Sequence, residues 1–315
     1  MTHRRRLRPL AAVTTALLAA GALAACGSDD ADDGRTRVVT AFYPMQFVAE
    51  RVGGDDVRVD SLVKPGADSH DLELSPRQVG QISDADLILY LSEFQPAVDE
   101  AVTSEGGDRA LDVGTLVPLL DGAAAGHEHD EHGHEADGHD HAHDQARDPH
   151  LWLDPARMAT ITDRVADRLA ETDPTNAADY RARAAALRTD LQTLDQEYEA
   201  GLRSCERREL VVSHTAFGYL TERFGLEQIG VSGLTPEDEP TPQRLAEATE
   251  EARAHGATTI YFESLVSPKV AETIAREVGA TTAVLDPLEA APAQGDYLSA
   301  MRANLAALRT GQGCA

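Results

Sequence analysis

Short apolar runs rich in β-branched residues alternate with longer amphipathic segments along the chain after residue 36. The runs predict β-strands at residues 37–42, 57–63, 87–91, 210–213, 258–263 and 282–285. Capping residues followed by proline predict helix starts at Ser75, Asp154, Asp173 and Ser267. Strands that alternate with helices are typical of parallel sheets, so we expect an α/β fold.

One predicted helix is longer than the others. From residue 174 to about residue 203, apolar side chains recur every three or four positions, at Ala177, Tyr180, Ala184, Leu187, Leu191, Leu194, Tyr198 and Leu202. At 1.5 Å per residue, this helix is about 45 Å long. We interpret residues 173–203 as a rigid linker between two α/β lobes, at residues 37–172 and 204–315. An ordinary surface helix of one large domain is the alternative.

The start of the chain has the pattern of an export signal. Four arginines between residues 4 and 8 precede an apolar stretch at residues 10–25, which is typical of a secretory signal peptide at residues 1–25. The stretch is shorter than the roughly twenty residues that a membrane span needs. The sequence LAAC that ends at Cys26 resembles the lipobox of bacterial lipoproteins. This resemblance implies a lipid on Cys26 and a tether at residues 26–36 on the extracytoplasmic face of the cell membrane.

Charge and cysteine content narrow the possible partners. Removing residues 1–25, which hold four arginines and no carboxylate, takes the formal charge from −26 to −30. Such a negative chain is a poor partner for nucleic acid. With Cys26 assigned to lipid attachment, two cysteines remain, Cys205 and Cys314. Such a pair favours a disulfide in an oxidising compartment, with two free thiols as the alternative.

A segment rich in histidine indicates metal binding. Seven of the twelve histidines lie within residues 127–143, where they alternate with carboxylates. Imidazole is a preferred zinc ligand, and His-rich tracts of this kind bind metal on composition alone. A solvated acidic loop without a metal is the alternative. The candidate auxiliary ligands are His127, His129, His132, His134, His139, His141 and His143.

Four other residues are candidate ligands of a main site. His70 lies in a loop after the strand at 57–63, His214 follows the strand at 210–213, and Asp286 follows the strand at 282–285. Ligands of open α/β sheets bind beyond the carboxyl ends of the strands, so these three are expected at one site. His150 follows the His-rich segment in the sequence DPHLWLDP. Each histidine has a structural role as its alternative, and Asp286 before Pro287 could instead cap a turn.

Five segments together resemble the zinc and manganese solute-binding proteins of ABC importers, of the ZnuA and TroA type. They are GADSHDLELSP, DPHLWLDP, VVSHTAFGYL, IYFESLVSPKVAETIAREVGA and AVLDPLEA. The resemblance covers residues 36–310. It implies a lipoprotein of two α/β lobes joined by a long helix, which holds one metal ion in the cleft between the lobes and closes little on binding.

The resemblance also implies a ligand set. By position, His70 and His150 match the ligands from the first lobe, and His214 matches the first ligand from the second lobe. Asp286 matches the carboxylate that completes the set, with water as the alternative. Histidine at position 214 is a feature of zinc importers, as is a His-rich loop, here residues 121–147. Three imidazoles with one carboxylate also suit tetrahedral Zn²⁺.

The expected function is to capture Zn²⁺ outside the cell and deliver it to the permease and ATPase subunits of an ABC importer. The chain is expected to be a monomer and not an enzyme. Import of Mn²⁺ or Fe²⁺ is the nearest alternative. A zinc-dependent hydrolase is another, although the His-rich segment has neither the HExxH nor the HxxEH spacing. An adhesin or a structural lipoprotein is the third.

Overall fold

The fold was obtained as a computed structural model that describes residues 34–122, 147–236 and 240–315. The expected signal peptide, Cys26 and the seven histidines of residues 127–143 lie outside the described residues. Residues Thr36–Ala315 form one compact unit.

The first half of the chain forms a four-stranded parallel sheet. Its strands are β1 (Thr36–Thr40), β2 (Val57–Ser61), β3 (Leu87–Tyr90) and β4 (Ala110–Asp112), in the order β2-β1-β3-β4. The helices that follow these strands or lead to the second half are α1 (Tyr43–Gly53), α2 (Pro76–Asp84), α3 (Pro96–Ala101), α4 (Pro155–Thr172) and α5 (Ala177–Leu202).

The second half repeats this strand order. Its strands are β5 (Glu209–Val212), β6 (Glu227–Gly230), β7 (Thr259–Phe262) and β8 (Thr281–Val284), and they form a parallel sheet in the order β6-β5-β7-β8. The helices are α6 (Gly218–Phe224), α7 (Pro242–Ala254), α8 (Lys269–Val278) and α9 (Tyr297–Gln312). In each half the first strand lies between the second and the third. The chain therefore adds its second strand on one side of the first strand and its third and fourth strands on the other side. Ligand sites of open α/β sheets lie at such a switch point.

The predicted α/β fold with parallel sheets is confirmed, and each predicted strand occurs within two residues of its expected bounds. The sequence pattern missed β4 and β6, because β4 has only three residues and β6 begins with the polar pair Glu227 and Gln228. The predicted start at Ser75 is confirmed by a capping box with Gln78. The start at Ser267 is wrong by one position, since Pro268 is the N-cap of α8.

The long helix is α5, which follows a 3₁₀ turn at Pro174–Asn176. Seven of its predicted apolar positions are buried, namely Tyr180, Ala184, Leu187, Leu191, Leu194, Tyr198 and Leu202. Near its start, Arg183 Nε donates to Val52 O of α1 at 2.7 Å. Near its end, Tyr198 Oη donates to Met301 O of α9 at 2.6 Å. The helix therefore packs against both halves of the chain, as a connector should.

A disulfide joins Cys205, just after α5, to Cys314, just after α9, with an Sγ–Sγ distance of 2.01 Å. It ties the end of the long helix to the end of the chain. In the part of the chain that the structure describes, we find no helix with the length and apolar character that crossing a bilayer requires.

The close packing of α9 on the second sheet predicts opposite effects for two glycine substitutions. A Cβ at Gly311 would lie 2.1 Å from Tyr261 Oη and 2.9 Å from Thr259 Oγ1, whereas a Cβ at Gly80, within α2, would meet no atom within 4 Å. Overpacking costs about 1–3 kcal/mol, so Gly311→Ala should lower the free energy of unfolding by that amount. Gly80→Ala should raise it by roughly 0.5–1 kcal/mol, because alanine favours a helix interior. Urea denaturation of both variants tests this contrast, and equal shifts would contradict the described packing.

Candidate metal centre

His150 is held by the carboxylate two residues before it. Asp148 Oδ1 accepts hydrogen bonds from the backbone N of His150 at 2.9 Å and from its Nδ1 at 2.8 Å. The His150 ring is fully buried and lies next to Trp152. A proton fixed on Nδ1 leaves the Nε2 lone pair free to bind a metal ion.

His214 is held in a similar way from the second sheet. It follows β5, and its Nδ1 lies 2.6 Å from Oε1 of Glu263, the residue that follows β7. Because β5 and β7 are neighbours, the two side chains meet at the switch point of this sheet. Both residues are buried, and Nε2 of His214 again faces away from the carboxylate partner.

His70 lies in the loop between β2 and α2. Its backbone N donates to Asp68 Oδ1 at 2.7 Å, and the neighbouring Ser69 O accepts from Gln95 Nε2 at 2.8 Å. The rings of His70 and Phe94 pack in a T-shaped arrangement, with 4.8 Å between ring centroids. An aromatic contact and backbone hydrogen bonds therefore position this histidine.

The three imidazoles converge on one oxygen of Glu289. Its Oε1 lies 3.2 Å from His70 Nε2, 3.1 Å from His150 Nε2 and 3.3 Å from His214 Nε2. The Nε2 atoms of His150 and His214 are 3.4 Å apart. In tetrahedral zinc sites with bonds of about 2.0–2.1 Å, neighbouring donor atoms lie about 3.3–3.4 Å apart. These four donor pairs thus have the spacing of ligands around a single metal ion, and the candidate ligand atoms of all four side chains lie within 4.8 Å of one another.

The structure corrects the expectation for Asp286. It is not part of the cluster, because its carboxylate is engaged elsewhere: Oδ1 accepts from Leu288 N at 2.8 Å, and Oδ2 accepts from Ser264 Oγ. Its backbone N and O are bound by the side-chain amide of Asn304. Asp286 is therefore the turn residue that the sequence left open as an alternative, and Glu289, three residues later, faces the histidines.

A strained turn places Glu289 in the cleft. Leu288 has a φ of 61°, which is uncommon for a residue with a branched side chain, and its own side chain is fully buried. The hydrogen bond from Leu288 N to Asp286 stabilises this conformation. Two contacts from the first half hold the turn: Ser69 Oγ donates to Glu289 O, and Trp152 Nε1 donates to Pro287 O, both at 2.7 Å. The backbone cost of the turn is thus offset by packing and hydrogen bonds.

Burial and hydrogen bonding oppose each other in this cluster. Burial lowers the pKa of His214, but hydrogen bonds with Glu263 and Glu289 outweigh it and raise the pKa to about 10. Burial likewise lowers the pKa of His150, and hydrogen bonds with Asp148 and Glu289 more than offset this and raise it. Burial raises the pKa of Glu289, yet hydrogen bonds from the three histidines hold it well below its ordinary value. A metal ion entering the cluster therefore has to displace protons.

Sequence reasoning missed Glu289, Glu263 and Asp148. The segments AVLDPLEA, IYFESLV and DPHLWLDP contain all three, but nothing in their order shows which carboxylate faces a histidine. Position after a strand was the one available signal, and it identified Glu263 no better than its neighbours. The remaining histidine among the described residues, His255, lies at the end of α7, where its Nδ1 is 3.1 Å from Glu209 Oε1.

Comparison with known proteins identifies relatives. The family model described as "ZnuA: Zinc-uptake complex component A periplasmic" matches residues 38–311. The high-affinity zinc uptake system protein ZnuA of Bacillus subtilis is 35% identical over 308 residues, which covers 95% of each chain. The zinc-binding protein AdcA of Streptococcus pyogenes serotype M6 is 36% identical over 295 residues, or 88% of this chain and 56% of AdcA. The chain thus spans little more than half the length of its AdcA relatives.

Solved structures share the fold. The Zn(II)-bound ZnuA-like domain of Streptococcus pneumoniae AdcA has a TM-score of 0.73 and 31% identity, and the match covers 89% of this chain and 99% of that domain. The laminin-binding protein Lmb of Streptococcus agalactiae, described as a bifunctional protein with adhesin and metal transporting activity, has a TM-score of 0.76 and 32% identity, covering 88% and 99% of the two chains. Because the family model matches most of its length, the chain belongs to the ZnuA family.

Proposed function

We propose that this chain is the extracytoplasmic zinc-binding component of an ABC importer, which captures Zn²⁺ and hands it to a membrane permease. The convergence of three imidazole Nε2 atoms on one carboxylate oxygen carries the proposal. Membership of the ZnuA family supports it. The proposed ligands are His70, His150, His214 and Glu289.

The donor set favours zinc over manganese or iron. Three nitrogen donors and one oxygen donor suit a tetrahedral Zn²⁺ ion, whereas Mn²⁺ prefers a larger set of oxygen donors. Asp148 and Glu263 hold His150 and His214 through Nδ1, which raises the basicity of the coordinating nitrogens.

The same geometry argues against a zinc hydrolase. Catalytic zinc sites keep one coordination position for water or substrate. Here Glu289 lies within 3.3 Å of all three Nε2 atoms and supplies the fourth donor. Its low pKa leaves it a poor proton carrier at neutral pH. A binding and release function therefore fits the site better than an enzymatic one.

The remaining features belong to the same proposal. A lipid on Cys26 would keep a monomeric protein at the outer face of the cell membrane, near the permease and its ATPase; a relative in Streptococcus pneumoniae is named a zinc-binding lipoprotein. The lobes would comprise residues 37–172 and 204–315, joined by the linker at residues 173–203. The histidines of residues 127–143 would bind zinc weakly and supply the cleft.

The proposed selectivity predicts one tight zinc site that does not depend on the His-rich segment. Asp121 and Arg147, which flank it, already pair through their backbones, so residues 127–143 can be deleted with little disturbance to the fold. The deletion variant should bind one Zn²⁺ that excess Mn²⁺ does not displace, and His214→Ala should weaken this binding by more than about 100-fold, the upper range for changes outside the ligand set. Competition with a zinc chelator measures both effects. A preference for Mn²⁺, or the absence of a tight site after the deletion, would refute the proposal.

Separate substitutions can distinguish the two carboxylates of the turn. Glu289→Gln removes a proposed ligand charge and should weaken zinc binding by at least about tenfold. Asp286→Asn keeps the oxygen that accepts from Leu288 N and should leave the affinity within a few-fold of the parent. The same chelator competition compares the two variants. The reverse ranking would restore Asp286 as the ligand.

A role of the His-rich segment in supply predicts a defect that appears only when zinc is scarce. Cells whose protein lacks residues 127–143 should take up ⁶⁵Zn more slowly at limiting zinc and at the normal rate at abundant zinc, because the main site is intact. Replacement of the seven histidines by serine at unchanged length is the matched control for loop shortening. Unchanged uptake at limiting zinc would count against this role.

A further inference from the structure

The segment VVSHTAFGYL contains two residues whose role the metal centre does not explain. It supplies the proposed ligand His214, whereas Gly218 and Tyr219, a few positions later, lie outside the ligand cluster. Gly218 is the first residue of α6, and the side chain of Tyr219 is fully buried. A buried tyrosine needs a hydrogen-bond partner for its hydroxyl, so the partners of Tyr219 show what this segment holds in place.

The hydroxyl of Tyr219 binds two backbone groups of the first half of the chain. It donates to Asp148 O at 2.7 Å and accepts from Leu120 N at 3.0 Å. Asp148 N in turn donates to Leu120 O at 2.9 Å, so both backbone groups of Asp148 are held. Because Asp148 Oδ1 accepts from His150 Nδ1, only this aspartate separates Tyr219 from a proposed ligand.

Gly218 lies against the carboxylate of the same aspartate. A Cβ at position 218 would lie 2.5 Å from Asp148 Oδ2, which is too close for any side chain to fit without movement. Asp148 is only 3% exposed, so its carboxylate has little room to move away. The backbone of Gly218 therefore limits the position of Oδ2, while His150 binds Oδ1 of the same group.

The first half of the chain also holds α6 from the side of α4. The guanidinium group of Arg157 lies over the Tyr219 ring, 4.7 Å from its centroid. The same group donates to Asp154 at the start of α4 and to Glu222 of α6, at 2.6 Å and 3.0 Å. A cation–π contact and two charged hydrogen bonds thus keep Tyr219 in the position from which it reaches Asp148.

We propose that Tyr219 and Gly218 are positioning residues for His150: from the second half of the chain they fix Asp148, which orients the imidazole of the first half. The segment that carries His214 then supplies one ligand and orients a second. Carboxylates that bind the far nitrogen of a metal-binding imidazole affect metal affinity by about 10–100-fold, and this consequence rests on the proposed zinc function. A hydroxyl that only stabilises the fold is the alternative.

Removal of one hydroxyl group distinguishes the two. Tyr219→Phe should weaken zinc binding by the full chain about 3–10-fold, because the partner of His150 is loosened but not lost. Tyr198→Phe is the matched control, since its hydroxyl is as deeply buried and also donates to a backbone carbonyl, that of Met301. It should lower the melting temperature by a similar amount and leave zinc affinity as in the parent. Chelator competition measures the affinities, and equal values for the two variants would overturn the proposal.

Gly218→Ala acts on the same carboxylate by a different route. The added methyl group has to displace Asp148 Oδ2, so zinc binding should weaken by at least about tenfold. Gly80→Ala, whose methyl group meets no atom within 4 Å, is the control and should bind zinc as the parent does. Parent-like zinc affinity of Gly218→Ala would remove Gly218 from the proposal.

A double-mutant cycle shows whether Tyr219 acts through Asp148. Asp148→Ala removes the carboxylate and should weaken zinc binding by about 10–100-fold. In that background Tyr219→Phe should cause no further loss, because no carboxylate is left to position. A role in stability alone predicts instead that Tyr219→Phe has the same effect on zinc affinity in both backgrounds, and that result would refute positioning through Asp148.

A measurement without zinc separates this inference from the proposed function. In the metal-free protein with ¹⁵N-labelled histidine, the Nδ1 proton of His150 should exchange slowly with water, because Asp148 holds it. Tyr219→Phe should speed this exchange by at least about threefold, and Tyr198→Phe should leave it unchanged. If zinc binds tightly but Tyr219→Phe changes neither readout, only the present inference fails. If the parent has no tight zinc site, the proposed function fails, and the proton exchange alone decides whether Tyr219 positions His150.

Discussion

The buried carboxylate of Glu289 is the group on which the arrangement of the cleft depends. A negative charge that is 2% exposed has to be compensated, and the compensation comes from imidazoles of both halves of the chain. Without a metal ion, protons on His150 and His214 supply it. A Zn²⁺ ion replaces those protons with a similar positive charge at the same place. In the proposed function, this exchange of protons for Zn²⁺ keeps the charge of the cleft nearly unchanged.

Hydrogen bonds between the halves reinforce this balance. Ser69 Oγ donates to the backbone of Glu289, Trp152 Nε1 donates to Pro287 O, and Tyr297 Oη donates to Trp152 O. All of these polar contacts are buried, where an unmade hydrogen bond is costly. With α5 also packed against α1 and α9, the halves have little freedom to separate. Because the proposed ligand side chains are already held in place, binding an ion loses little free energy to ordering them. This property suits the proposed capture of a scarce ion.

Much of this arrangement is predictable from the sequence, and the failures have physical causes. Periodicity predicts six of the eight described strands and the long helix, because these elements bury a regular apolar face. The sequence singles out the three histidines that the structure brings together, because each follows a strand or lies in an unusual motif. Glu289 was missed because the choice between it and Asp286 depends on the left-handed backbone of Leu288, which no local propensity favours. The carboxylates behind the histidines depend on which strands are neighbours, and strand order is a property of the tertiary fold.

The distribution of carboxylates around the site supports the zinc preference that we propose for this acidic protein. Among the described residues, three carboxylates contact the imidazoles of these histidines, and of these three only Glu289 lies between the Nε2 atoms. Asp148 and Glu263 instead accept hydrogen bonds from the Nδ1 atoms of His150 and His214. Their charge therefore raises the basicity of the Nε2 atoms that face the site, and they contribute no oxygen ligand. Turning either carboxylate inward would add an oxygen donor and make the site more suitable for Mn²⁺. Metal preference therefore depends on the side from which each carboxylate approaches, more than on how many are present.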